Sequence, residues 1–152
     1  MGTDPPLALS RAFARLRPGG LLCLQEPDLA APRAAPPMPT WEQAHGRLLE
    51  TMRRAGVEAR MGHTLFAAFR AAGLPDPEMH VESAVRCGER AGHAAHRRAD
   101  LLVATLPLME RTGVTTRVQL APDTLGDRLE AELTAHDGIV MLGPLSAAWA
   151  RA

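Results

Sequence analysis

The chain contains no lysine. Every one of its 17 basic side chains other than histidine is arginine, and 17 Asp and Glu balance them to a formal net charge of zero. A balanced chain has no basic footprint for nucleic acid and no polybasic anchor for a membrane surface. Together with the many alanines and prolines, the exclusive use of arginine reads as a GC-rich coding bias rather than a binding role. Cysteine is scarce: Cys23 and Cys87 both fall in expected strands, which suits small buried side chains in a reducing compartment and argues against a disulfide framework. No run approaches the ~18 apolar residues of a membrane span. Asp4, Pro5 and Pro6 stand where a signal peptide needs an apolar core, so a cytoplasmic location is expected. No Gly-x-Gly triplet occurs, which excludes a dinucleotide loop of the usual kind.

What is present is most informative near the start. In Leu16-Arg17-Pro18-Gly19-Gly20-Leu21-Leu22-Cys23-Leu24-Gln25-Glu26 a helix-period segment stops at Pro-Gly-Gly and becomes an apolar run closed by acid. Four consecutive apolar residues suit a strand covered on both faces, and ligands of α/β proteins gather at the carboxyl ends of such strands.

A helix is expected over 3–16, with Thr3 or Asp4 as N-cap, Pro5 in its first turn, and Leu9, Phe13 and Leu16 on one stripe. The strand at 21–26 then gives way to a proline-rich, strand-free connection as far as Pro39. Thr40-Trp41-Glu42-Gln43 fits a capping box for a helix to about Ala55, with Trp41, Ala44, Leu48 and Met52 facing the core and Gly56 as the stop. Another helix near 62–72 carries Leu65, Phe66 and Phe69 and ends at Gly73, and a strand follows over 78–87. A helical region over 92–112 must be kinked or divided by Pro107. Asp123 is the expected cap of a last helix bearing Leu125, Leu129 and Leu133. The final strand starts at Ile139 and is interrupted at Gly143-Pro144.

The Leu-Arg-Pro-Gly-Gly turn between a helix and an apolar strand ending in Gln-Glu-Pro-Asp resembles the fifth-strand region of class I S-adenosylmethionine-dependent methyltransferases. The nearest branch is that of the ubiquinone and menaquinone biosynthetic enzymes. Arg60-Met61-Gly62, Phe69-Arg70-Ala71-Ala72-Gly73-Leu74, Gly143-Pro144-Leu145 and Ala148-Trp149-Ala150-Arg151 agree with that branch, so the resemblance covers nearly the whole chain. It implies an α/β fold, the C-terminal part of a Rossmann-like methyltransferase in one partial domain over 1–152. About three strands are implied, parallel apart from an antiparallel last strand between the fifth and sixth, with five or six helices. A helical insertion at 38–74 and a helical lid at 92–136 complete it. The family binds S-adenosylmethionine through an N-terminal half whose motifs are absent here. The chain is therefore expected to have no cofactor site and to be inactive alone. The strand at 21–26 would lack one neighbour, which invites a separate donor-binding half or a second copy of the chain. The alternative is a non-catalytic binding or assembly module that pairs this edge with a separate donor-binding subunit or with itself.

Five residues are candidates to face a small-molecule substrate. Glu26 and Asp28 follow the carboxyl end of the first strand, where a carboxylate orients a hydroxyl or amine or accepts its proton. Trp41, Met61 and His63 lie, with Arg60, on helices that the resemblance places over the pocket, where Trp41 and Met61 would line an apolar cavity and His63 would serve as a base. Core packing of Trp41 and Met61 and a solvent-facing His63 are the competing assignments. Cys87, His93 and His96 lack a fourth ligand for a structural metal, so no metal site is expected. Gly19-Gly20 is turn chemistry rather than a phosphate cradle, since a strand follows it.

Overall fold

A computed structural model describes residues 4–152, so Thr3 lies outside the described residues. The chain is α/β and forms two compact units: residues 4–29, 60–83 and 144–152 in the first, 30–59 and 84–143 in the second.

The first unit is a three-stranded sheet with two helices. Helix α1 (Pro5–Phe13) starts at Asp4, whose carboxylate accepts the Leu7 N–H at 3.3 Å. Strands β1 (Leu21–Pro27), β3 (Glu78–Glu82) and β6 (Leu145–Arg151) are ordered β1-β6-β3, with β6 antiparallel to both neighbours. The two outer strands therefore point the same way. Helix α3 (Met61–Ala71) packs on β1, β6 and α1. Leu9, Leu65, Ala68, Phe69, Ala148 and Ala150 form the core, with Phe13, Leu22 and Leu24 against it. Gly73, at φ +70°, ends the α3 region in a Schellman arrangement in which the Leu74 N–H donates to the Phe69 carbonyl at 3.1 Å.

Strand β1, expected to be covered on both faces, has one exposed face. Leu22 and Leu24 turn to the core, while Leu21 and Cys23 alternate to the other face and are exposed. Cys87 is exposed as well, so neither cysteine is a core residue. Of the three large apolar residues carried by α3, Leu65 and Phe69 are buried and Phe66 is 45% exposed.

The second unit holds the longer helices and a second sheet, β2 (Arg33–Ala35), β5 (Ile139–Met141) and β4 (Val85–Arg86), again antiparallel throughout. The parallel pairing expected from the resemblance is absent among the described residues. Six short strands replace the expected three. The proline-rich connection contains β2, the strand expected at 78–87 is split between two sheets, and Gly143-Pro144 separates β5 from β6 rather than bulging one strand.

Helix α2 (Pro39–Ala55) buries Trp41, Ala44, Leu48 and Met52 as its stripe requires and stops at Gly56, at φ +68°. Its start is not the capping box. The Glu132 carboxylate of helix α6 (Pro122–Ala135) accepts the N–H groups of Thr40, at 3.0 and 3.2 Å, and Trp41, at 3.3 Å. Helix α4 (Glu89–Arg111) runs undivided through Pro107. A four-residue helix α5 (Arg117–Leu120) carries a capping box from Thr116 and Gln119, and Ala121, not Asp123, is the N-cap of α6. Leu125, Leu129 and Leu133 are buried as expected.

Close packing of α4 on α6 depends on reciprocal small residues. A Cβ on Gly92 would strike the Glu130 carboxylate, and one on Gly126 would strike the His96 ring. The same two side chains meet each other, His96 Nε2 to Glu130 Oε2 at 2.9 Å. Among the described residues no helix is long and apolar enough to cross a membrane.

Candidate functional site

The carboxyl end of β1 brings together four of the five candidate substrate residues. Glu26 is the last acid of the strand and Asp28 follows it, its N–H donating to the Pro144 carbonyl at 2.8 Å, so the chain leaving β1 stays pinned to the start of β6. Asp28 is 4% exposed. Met61 and His63 stand in the first turn of α3 with Gly62 between them. There Gly62 is pressed so closely to Ser146 and the Glu26 carbonyl that a Cβ would lie 2.7 Å from Ser146 Oγ and 3.0 Å from Glu26 O. That close approach sets the height of His63 over the strand end.

His63 Nε2 lies 3.3 Å from Asp28 Oδ2 while the rest of the imidazole reaches solvent. A buried carboxylate facing one ring nitrogen favours the tautomer protonated there and leaves Nδ1 as the outward acceptor. The pair can therefore orient a donor group or take a proton from it. Met61 is half-buried against the core of the first unit and supplies apolar surface beside the pair.

Trp41 is not part of this constellation. It belongs to the second unit, is 2% exposed, and lies under the Arg98 guanidinium, 5.2 Å from the ring centroid. The core assignment holds for it. Burial pushes Arg98 down to about 10, and its Nη1 has no hydrogen-bond partner. Ser146 and Gly62 were absent from the sequence-derived set; only the Gly next to His63 at a helix start hinted at a close approach.

The residues present do not fit S-adenosylmethionine. Two strands lead into helices, β2 through Pro36-Pro37-Met38 and β4 through Cys87-Gly88. The first offers no glycine, and the second offers the single Gly88 where the glycine-rich turn of a donor site uses several. No group of three or more His, Cys, Asp or Glu among the described residues is placed to hold a metal ion.

Comparison with known proteins finds no family model that matches the chain and no matching curated protein.

Proposed function

We propose that this chain is the substrate-side, C-terminal part of a methyltransferase-like α/β protein acting on a small molecule, inactive by itself and completed by a separate donor-binding half. The observation that supports the reading is the strand order. The last strand, β6, lies between β1 and β3 and antiparallel to both, which is the placement the resemblance implies for the last strand of that fold. Among the described residues β1 is paired on one side only, so its other edge offers backbone groups to a further strand. Asp28 and His63, at the end of the same strand, would orient the substrate and accept its proton.

The test is to read the coding DNA upstream of the Met1 codon in every frame and to co-express what it encodes with this chain. The expected segment contains a strand followed by a glycine-rich loop, and its co-purification with the chain confers S-adenosylmethionine binding in calorimetry. Donor binding by the isolated chain overturns the reading, as does an upstream region with no such segment.

The free edge of β1, with Leu21 47% exposed beside it, also suits a non-catalytic assembly module that pairs with a second copy. Sedimentation equilibrium separates the two. A tight dimer of the isolated chain favours the module, and a monomer that gains a partner only from the upstream segment favours the methyltransferase-like reading.

A further inference from the structure

A groove of about 640 Å³ in the second unit is lined by Arg86, Arg90, His93, His96 and Arg97. Arg86 comes from β4. Arg90, His93 and Arg97 follow one another on α4 at spacings of three and four, which places them on one helix face. Arg90 and Arg97 are thus two turns apart on the same face. Among the described residues, Arg53, Arg54, Arg70 and Arg117 form ion pairs with carboxylates, whereas none involves Arg86, Arg90 or Arg97. Glu130 and Asp127 face His96, whose Nε2 they approach to 2.9 and 3.9 Å, and Glu89, the neighbour of Arg90 in the first turn of α4, forms no ion pair with the three arginines. Three arginines around one groove, none of them in an ion pair among the described residues, offer their guanidinium groups to an external anion.

We propose that this groove binds the phosphate groups of a small phosphorylated molecule. Guanidinium forks match phosphate oxygens two at a time, and the arginines converge from a strand and from a helix face, so they can grip different oxygens of one ligand. The volume lies within the ~300–1,000 Å³ usual for small-molecule sites. The lining has no Trp, Tyr or Phe, the larger rings on which successive bases stack, which disfavours single-stranded nucleic acid. This site is independent of the β1 constellation and of the methyltransferase-like reading.

The test titrates pyrophosphate into the full chain at low ionic strength by calorimetry. Binding tighter than about 1 mM is expected, weakening severalfold as ionic strength rises from ~0.01 M to ~0.15 M. The exposed pair Arg90→Gln and Arg97→Gln should lower affinity roughly tenfold or more while leaving the circular dichroism unchanged. Phenylglyoxal modification of the unaltered chain, read by peptide mass spectrometry, supplies a measurement that needs no variant. Pyrophosphate should protect Arg86, Arg90 and Arg97 and leave Arg70 and Arg151 reactive. Absence of both heat and protection overturns the proposal, as does equal affinity of the double variant. Citrate binding as tightly as pyrophosphate overturns the assignment to phosphate, and a single-stranded oligonucleotide outcompeting pyrophosphate overturns the assignment to a small molecule.

Discussion

Substituting Gly62 by alanine tests whether the start of α3 is set by contact with the strand end. The new Cβ would lie 2.7 Å from Ser146 Oγ, 2.9 Å from Ser146 Cβ and 3.0 Å from the Glu26 carbonyl oxygen. None of these atoms is the far end of a flexible side chain. Ser146 is 2% exposed and sits in β6, and the carbonyl belongs to β1, so relief requires the helix to move off the sheet. Overpacking of this kind costs about 1–3 kcal/mol. The helix-propensity gain of alanine over glycine is at most ~1 kcal/mol and smaller in a first turn, so the clash wins. At ~2–4 °C per kcal/mol for a chain of this size, Gly62→Ala should lower Tm by roughly 2–12 °C in calorimetry. Gly46→Ala is the internal control. It lies in α2 with nothing within 4 Å of its Cβ and should gain about 0.5–1 kcal/mol. Adding Ser146→Gly to Gly62→Ala removes two of the three close contacts. The double variant should then fall short of the summed single losses by at least ~0.5 kcal/mol. A Gly62→Ala protein with unchanged Tm, or a strictly additive cycle, refutes the reasoning.

Glu132→Ala should cost about 1 kcal/mol in urea unfolding, because it strips the carboxylate from the N–H groups of Thr40 and Trp41; Glu132→Gln, which keeps an acceptor but not the charge, should recover part of that loss. Arg98→Met should leave stability at pH 7 unchanged or raise it by up to ~2 kcal/mol, since it replaces a buried cation and forfeits a cation–π contact. Burial lowers Arg98 from the ordinary arginine range to about 10, so above that value the unfolded chain binds more protons; the penalty is full below pH 10 and fades as pH rises through it, and the advantage of the variant should shrink there. A loss above ~1 kcal/mol at pH 7 would sink this account of Arg98. Glu50, held down to about 2 by hydrogen bonds from Arg53 and Arg54 against an ordinary 4.5, stabilises the fold above pH 4.5 and loses that contribution as pH falls towards 2. The stability difference between the unaltered chain and Glu50→Gln should vanish over the same interval, measured by urea midpoints against pH.

Local signals read from the sequence correspond to most helices. The stripe of Trp41, Ala44, Leu48 and Met52, the stops at Gly56 and Gly73, and the cap at Asp4 each depend on residues within a few positions of one another, so periodicity and backbone preference suffice to place them. The acid-tipped strand end at Glu26 and Asp28 was legible for the same reason, and so was His63 as a neighbour in kind. That His63 meets Asp28 was not, because it follows from the seat of Gly62 on Ser146, a residue 84 positions further on. Sheet membership was the least visible part. Arg33–Ala35 and Val85–Arg86 are too short to show alternation, and Ile139–Arg151 divides between two sheets at Gly143-Pro144. Tertiary packing likewise decided that one face of β1 is wet, that Trp41 is core, that Glu132 caps a helix 92 positions away, and that Arg86 joins the arginines of α4 around one groove. Each of these depends on residues distant in the chain meeting in space, which no local pattern of side chains encodes.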